Sequence, residues 1–183
     1  MTVPEFSDTT DLRSGPEIHA GLLEVLPLVG DWAGRGTGTK PGSGTSFDFA
    51  QRLSFGHDGR PFLHYSSHAW LLDADGSVLR PAFRETGFLR PGAGDDELEF
   101  VVSTAVGIIA VYAGLAGDRR WEFATSGVGF TPTAKQVAGE RRLYGLTAQD
   151  ELGYVTELAL EPGAYQPHLN ARLARSLPGS SGA

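Results

Sequence analysis

A succession of short segments with alternating apolar and polar residues most constrains the fold of this chain. Residues 47–55, FDFAQRLSF, place Phe47, Phe49, Leu53 and Phe55 on one side. Further segments of this kind are LEFVVS, GIIAVYAG, RWEFATS and LGYVTELAL, and turn signals such as HDGR, DADG and TAQD separate them. A period of two is that of a β-strand, and turns spaced by roughly 8–12 residues are typical of antiparallel sandwiches and barrels. We therefore predict an all-β fold in which closure into a barrel removes exposed strand edges.

The two ends of the alternating region carry helical spacing instead. In residues 16–29, PEIHAGLLEVLPLV, apolar side chains recur at three- and four-residue intervals between Pro16, which suits a first turn, and Pro27, which would end the helix. In residues 164–177, AYQPHLNARLARSL, Leu169, Leu173 and Leu177 are spaced by four. The spacing predicts short N-terminal and C-terminal helices that dock on the barrel.

The length of 183 residues suits one domain with a sizeable core. We expect a single barrel domain over residues 16–177. Residues 1–15 are polar, and residues 178–183 read PGSSGA, a low-complexity sequence. We expect both of these segments to be disordered.

Composition excludes several classes of function. The formal net charge of -7 argues against a nucleic-acid partner, whose phosphates call for a basic surface. No apolar run approaches the ~20 residues needed to span a membrane, and the acidic N-terminus has no signal-peptide pattern, so we expect a cytoplasmic protein. Because the chain has no cysteine and Met1 is its one methionine, any metal ligand must be a nitrogen or oxygen atom.

Few residues suggest catalysis or metal binding by spacing alone. No G-x-S-x-G sequence marks a hydrolase nucleophile. His64 and His68 lie four apart on a predicted strand, which separates them by ~13 Å and argues against a shared metal. The glycine cluster of residues 30–44 lacks a Walker A pattern and fits a strand that closely approaches a neighbouring backbone. His168 follows Pro167 at the predicted start of the C-terminal helix, where either a structural or a ligand role is open.

Five motifs, in order along the chain, carry a resemblance to a known family. GDWAGRG at residues 30–36 fits the pattern G-x-W-x-G-x-G, and FGHDGRPFLHY at residues 55–65 fits F-x-H-x-G-x-P-F-L-x-Y. ETGFLR at residues 85–90, TPTAKQV at residues 131–137 and QPHL at residues 166–169 follow. Together they resemble the nitrobindin family over about residues 22–177.

The resemblance implies a fold and a function. Nitrobindins are antiparallel β-barrels similar to fatty-acid-binding proteins, usually with ten strands. By this resemblance His168 is the axial iron ligand of a non-covalent haem b, and Lys135 lies near a haem propionate. The resemblance also implies that ferric haem binds nitric oxide and converts peroxynitrite to nitrate, and a homodimer is an expectation of the same kind.

The chain departs from the family pattern near the expected haem. Where the family commonly has Y-P-T-I, this chain has KPGS at residues 40–43, so Gly42 replaces a threonine. Phe83 stands where a family histidine is expected. The alternative function is therefore a haem-free carrier of a fatty acid or another small hydrophobic ligand.

Overall fold

Ten antiparallel strands form one closed barrel in the computed structural model, which describes residues 8–176. Each strand pairs with the next in sequence, and β10 pairs with β1. The strands are β1 Gly30–Thr39, β2 Ser46–Gly56, β3 Leu63–Leu72, β4 Val78–Pro91, β5 Glu97–Thr104, β6 Ile108–Gly117, β7 Arg120–Phe130, β8 Gly139–Leu146, β9 Leu152–Ala159 and β10 Tyr165–Ser176. The predicted barrel is confirmed.

Alternation along the strands sorts side chains between the barrel interior and its outer surface. On β3, Leu63, Tyr65, Ser67 and Ala69 are buried, whereas the residues between them are partly exposed. The interior is aromatic, and its rings contact one another through edge-to-face and tilted pairs: Phe55 with Tyr65, Tyr65 with Phe100, and Phe100 with Phe123. This aromatic core fills one end of the barrel interior, and a cavity lies towards the other end.

The glycines of β1 allow the barrel to close. A Cβ atom on Gly34 would lie 2.2 Å from the carbonyl oxygen of Arg172, and one on Gly36 would lie 2.3 Å from that of Asn170. Contacts that short do not occur, so a side chain here would push β10 away from β1. The prediction that these glycines serve a close backbone approach is confirmed.

A 3-10 helix, Ala20–Leu28, covers one end of the barrel. Its Leu22, Val25 and Leu28 are buried against the aromatic core. Two indole N–H groups hold it in place: Trp32 donates to the carbonyl of Leu28 at 2.9 Å, and Trp121 donates to that of Glu24 at 2.7 Å. These buried hydrogen bonds satisfy carbonyls that the short helix would otherwise leave without partners.

The predicted N-terminal helix is correct in place and wrong in detail. It begins at Ala20 rather than Pro16, because His19 is extended and its ring caps the helix by accepting from the Gly21 N–H at 3.0 Å. Pro27 lies inside the helix rather than ending it. The tighter 3-10 winding accounts for the mismatch with a 3.6-residue period.

The predicted C-terminal helix is wrong, because residues 165–176 form strand β10. A spacing of four residues is also a multiple of two, so the leucines that suggested a helical stripe equally mark one face of a strand. Leu169, Ala171 and Leu173 do face inward together, with Leu173 fully buried. Leu177 and residues 178–183 lie outside the described residues.

Only part of the expected disordered segment 1–15 lies within the described residues. There, Thr9 and His57 exchange two backbone hydrogen bonds, each of 2.9 Å. No helix among residues 8–176 is long and apolar enough to cross a membrane.

Substitution of Gly36 by alanine tests the close approach of β1 and β10. We expect Gly36→Ala to lower the free energy of unfolding by about 1–3 kcal/mol, because its Cβ would overlap the Asn170 carbonyl and the Phe49 ring. Gly127→Ala is the matched control, since a Cβ there meets no atom within 4 Å, and it should change stability by less than about 0.5 kcal/mol. Urea unfolding followed by tryptophan fluorescence measures both, and equal effects would contradict the model of closure.

Candidate functional site at the open end of the barrel

A cavity of about 170 Å³ lies inside the barrel, towards the end opposite the 3-10 helix. Turns β5–β6 and β7–β8 border it, and its wall is mainly apolar. The apolar side chains around it include Phe83, Val106, Ile108, Val128, Leu158 and Leu169. The charged side chains on its wall include Glu85, Glu140 and Arg142, and His168 completes it. This is where the barrel brings titratable groups and apolar surface together.

A β-bulge turns His168 into this cavity. Pro167 pairs with Glu157 and Leu169 pairs with Thr156, so His168 is the extra residue between two consecutive partners on β9. On a regular strand, neighbouring residues point to opposite faces, yet both His168 and Leu169 border the interior cavity. The bulge is therefore the feature that re-aims the histidine, as bulges next to functional sites commonly do.

One hydrogen bond fixes the tautomer of His168. Its Nδ1 lies 2.9 Å from the backbone carbonyl oxygen of Thr39, at the end of β1. A carbonyl can only accept, so Nδ1 carries the proton and Nε2 carries the lone pair. The Thr39 carbonyl thus leaves the other nitrogen available to act as a metal ligand.

Beside His168, a buried arginine is paired with two carboxylates. Arg142 donates from Nη1 and Nη2 to the two oxygens of Glu85, each at 2.9 Å, and from Nη2 to Glu140, also at 2.9 Å. Tyr65 donates to Glu85 at 2.9 Å, and Tyr112 donates to Glu140 at 2.6 Å. We call these five residues the carboxylate cluster. The Arg142 side chain is only 4% exposed, and each carboxylate is 15% exposed.

The environment shifts the pKa of four members of the carboxylate cluster. Burial by itself raises the pKa of Glu85, but the charge and hydrogen bonds of Arg142 outweigh burial and place this pKa below its usual value. For Arg142, burial lowers the pKa, and the two carboxylates more than compensate and raise it well above its usual value. Burial raises the pKa of Tyr65 and of Tyr112, so both phenols remain neutral donors.

A second polar chain crosses the interior next to the cluster. Tyr154 donates to Gln51 Oε1 at 2.7 Å, and Gln51 donates from Nε2 to Ser67 at 2.8 Å. All three side chains are buried. The hydrogen bonds satisfy polar groups that would otherwise be costly inside the barrel.

Lys135, which was predicted to lie near a cofactor, is exposed in the loop between β7 and β8. Val137 of the same loop borders the cavity. Gly42 is exposed in the β1–β2 loop, where a Cβ would meet Leu160 at 3.6 Å. Phe83 packs edge-on against Phe49, with ring centroids 5.5 Å apart, and narrows the cavity.

The other histidines take no part in this site. His64 and His68 belong to the outward-facing set of β3, and His68 stacks on Trp70 with ring centroids 4.1 Å apart. His57 is buried, and its ring nitrogens have no hydrogen-bond partner among residues 8–176. In that same part of the chain, no group of three or more His, Asp or Glu side chains could hold a metal ion.

Sequence reasoning missed the carboxylate cluster, although a signal existed. Glu85 lies two residues before Gly87 and four before the buried Leu89, and Arg142 lies two before the buried Tyr144. A charged residue at an inward-facing position of a strand must be paired, so the parity of these positions pointed to a buried ion pair.

Comparisons with known proteins identify the family and the fold. The model of the THAP4-like, heme-binding beta-barrel domain family matches residues 21–175. A protein named peroxynitrite isomerase from Salinispora tropica is 43% identical over 93% of this chain and 88% of its own length. A ferric nitrobindin-like protein from Saccharopolyspora erythraea is 43% identical over 94% of this chain and 82% of its own. The crystal structure of Rv2717c from M. tuberculosis superposes with a TM-score of 0.75 at 32% identity, covering 88% of this chain and all of that one.

Glu85→Gln tests the buried ion pair through its pH dependence. Glu85 has a folded pKa below its unfolded value of ~4.3, so its stabilisation is present above that pH and is lost as the pH falls through the folded pKa. At pH 7 we expect the substitution to cost about 1–3 kcal/mol, because it weakens the hydrogen bonds that Glu85 accepts from Arg142 and Tyr65, whereas Glu140 still pairs with Arg142. Below about pH 4 the difference from wild type should narrow, since the wild-type carboxyl becomes neutral too.

Urea unfolding between pH 7 and pH 3 measures this difference. Glu99→Gln is the control, because Glu99 forms an exposed 3.2 Å pair with Arg90 and its loss should cost less than about 1 kcal/mol. If the free energy of unfolding of Glu85→Gln stayed below that of wild type by the same amount over the whole pH range, the negative charge assigned to Glu85 would be contradicted.

Proposed function

Because the chain belongs to the THAP4-like haem-binding β-barrel family, the nitrobindins that its motifs indicated, we propose that it isomerises peroxynitrite to nitrate with haem b held by His168. The observation that carries the proposal is the contact between His168 Nδ1 and the Thr39 carbonyl. It leaves an imidazole lone pair at the wall of an apolar cavity, which is what an axial ligand requires.

The residues of the cavity fit a haem. A single nitrogen donor borders a mainly apolar wall, and Val106 on the rim is 65% exposed, so apolar surface continues outward from the cavity. The volume of about 170 Å³ is below the ~300–1,000 Å³ of pockets that enclose a whole small molecule. The cavity alone would therefore not enclose a haem, and the exposed apolar side chains of its rim would have to contribute to binding.

Ferric haem bound through one protein ligand supplies an open coordination position and a Lewis acid for the peroxynitrite oxygen. The chain contributes orientation, because the bulge and the Thr39 carbonyl hold the His168 ring in place. Its apolar wall excludes water from the reacting anion. Isomerisation moves no net proton, so no general acid is needed, and the Glu85 carboxyl is already held by Arg142 and Tyr65.

Lys135 completes the proposed site as the partner of a haem propionate. What supports this role is its place two residues before Val137, on the loop that borders the cavity. Binding of nitric oxide to the ferric haem follows from the same open position. The cytoplasmic location and the homodimer expected from the sequence stay predictions.

A fatty-acid carrier is the less suitable alternative. Such a carrier would need a buried cation for the lipid carboxylate, and Arg142 is the one buried cation among residues 8–176. Its guanidinium already binds Glu85 and Glu140. A third carboxylate would be repelled by the two that are present.

His168→Ala tests the proposed ligand. We expect wild type reconstituted with ferric haem to show a Soret band and to convert peroxynitrite to nitrate, and the variant to lose the band and at least about a hundredfold in rate. His68→Ala is the matched control, since His68 faces outward, and it should keep both. A His168→Ala protein with an unchanged spectrum would remove His168 as the ligand.

Lys135→Ala tests the propionate contact. Loss of one exposed ion pair should weaken haem binding about twofold to fivefold, measured by transfer of haem to apomyoglobin, without changing the Soret maximum. Lys40→Ala is the comparison, since Lys40 is the only other lysine and is also exposed, on the β1–β2 loop. Equal weakening in both variants would refute a specific role for Lys135.

A further inference from the structure

The carboxylate cluster places a net negative charge inside the barrel. Glu85 and Glu140 each contribute one negative charge, and Arg142 contributes one positive charge, so the sum is -1. Tyr65 and Tyr112 donate hydrogen bonds to the carboxylates without changing this sum. An ion pair that served only to satisfy a buried arginine would need one carboxylate, and the second is therefore an excess charge.

This excess charge lies on the wall of the cavity that His168 borders. Glu85, Glu140, Arg142 and His168 all line the same cavity. Arg84 lines it too, but this side chain is exposed, so solvent screens its charge more strongly. Each carboxylate is largely shielded from solvent, with 15% of its side chain exposed, so water and salt screen its field weakly. The rings of Phe100 and Tyr112, whose centroids lie 6.0 and 5.0 Å from the Arg142 guanidinium carbon, help to exclude water from the cluster.

We propose that Glu85 and Glu140 set the oxidation state of the bound haem by holding its iron in the ferric form. The inference rests on the proposed function, since it requires haem at His168. Ferric iron carries one more positive charge than ferrous iron, and a fixed negative charge across the cavity stabilises the more positive state. In this proposal the carboxylates would act on the iron through their electric field, and His168 would remain its protein ligand.

The midpoint potential of the reconstituted protein tests the proposal directly. We expect Glu140→Gln to raise it, so that at a fixed applied potential the ferrous-to-ferric ratio increases about tenfold, equivalent to about 59 mV for one electron. Glu140→Gln is the preferred variant because Arg142 keeps both of its hydrogen bonds to Glu85. Glu85→Gln should shift the ratio in the same direction.

Two controls separate charge from other effects. Glu122→Gln removes an exposed carboxylate, 57% exposed and paired with Arg120, and should change the ratio less than twofold. Tyr112→Phe removes a hydrogen bond of Glu140 without removing charge, and it should shift the ratio less than Glu140→Gln does. Spectroelectrochemical titration at pH 7 measures all variants.

Distinct results would overturn the proposal. Haem-loaded Glu85→Gln and Glu140→Gln proteins with the wild-type potential, or a lower one, would refute it while leaving the proposed function intact. Gln variants that keep a wild-type far-UV circular dichroism spectrum but take up no haem would show that the carboxylates serve binding, which also refutes it. Failure of wild type itself to take up haem would overturn the proposed function and this inference together.

Discussion

The pairing of β1 with β10 is the constraint on which the rest of the structure depends. Close approach of these strands requires glycine at positions 34 and 36, where any Cβ would overlap the carbonyls of β10. The same pairing brings the Thr39 carbonyl to His168. Closure of the barrel therefore also orients the proposed iron ligand. The glycines of the GDWAGRG motif, residues 30–36, allow this closure and so support the site as well as the fold.

The interior of this barrel has two parts, one filled by apolar aromatic side chains and the other containing buried charges. Near the 3-10 helix, aromatic rings fill the interior, and hydrogen bonds from two indole N–H groups hold the helix against the barrel. Towards the open end, a buried arginine and two carboxylates replace the apolar filling. Burying these charges is costly, and hydrogen bonds from Tyr65 and Tyr112 offset part of the cost without neutralising the cluster. A cluster buried at this cost next to the proposed haem site is consistent with an electrostatic role beyond packing.

Much of the fold could be predicted from the sequence, because period-two alternation reports burial directly. It identified most strands, but β4 escaped, since its first residues, Val78–Pro81, are all exposed and show no alternation. β10 was mistaken for a helix because a four-residue spacing fits both periods. His168 was identified by family resemblance, whereas its orientation depends on a bulge that no residue spacing reveals. The partners of Arg142 come from strands β4 and β8, 57 residues apart in the case of Glu85, and only the fold brings them together.

The position of His168 on the last strand of the barrel has a consequence for assembly. Its ring is oriented by a carbonyl from the first strand, 129 residues earlier in the chain. Such long-range pairings are slow to form, because the chain loses the entropy of loop closure before the contact is gained. The proposed iron ligand is therefore oriented only once β1 and β10 have paired, because a chain in which they are unpaired lacks the contact with Thr39. If His168 binds haem as proposed, uptake of haem would indicate that the barrel has closed.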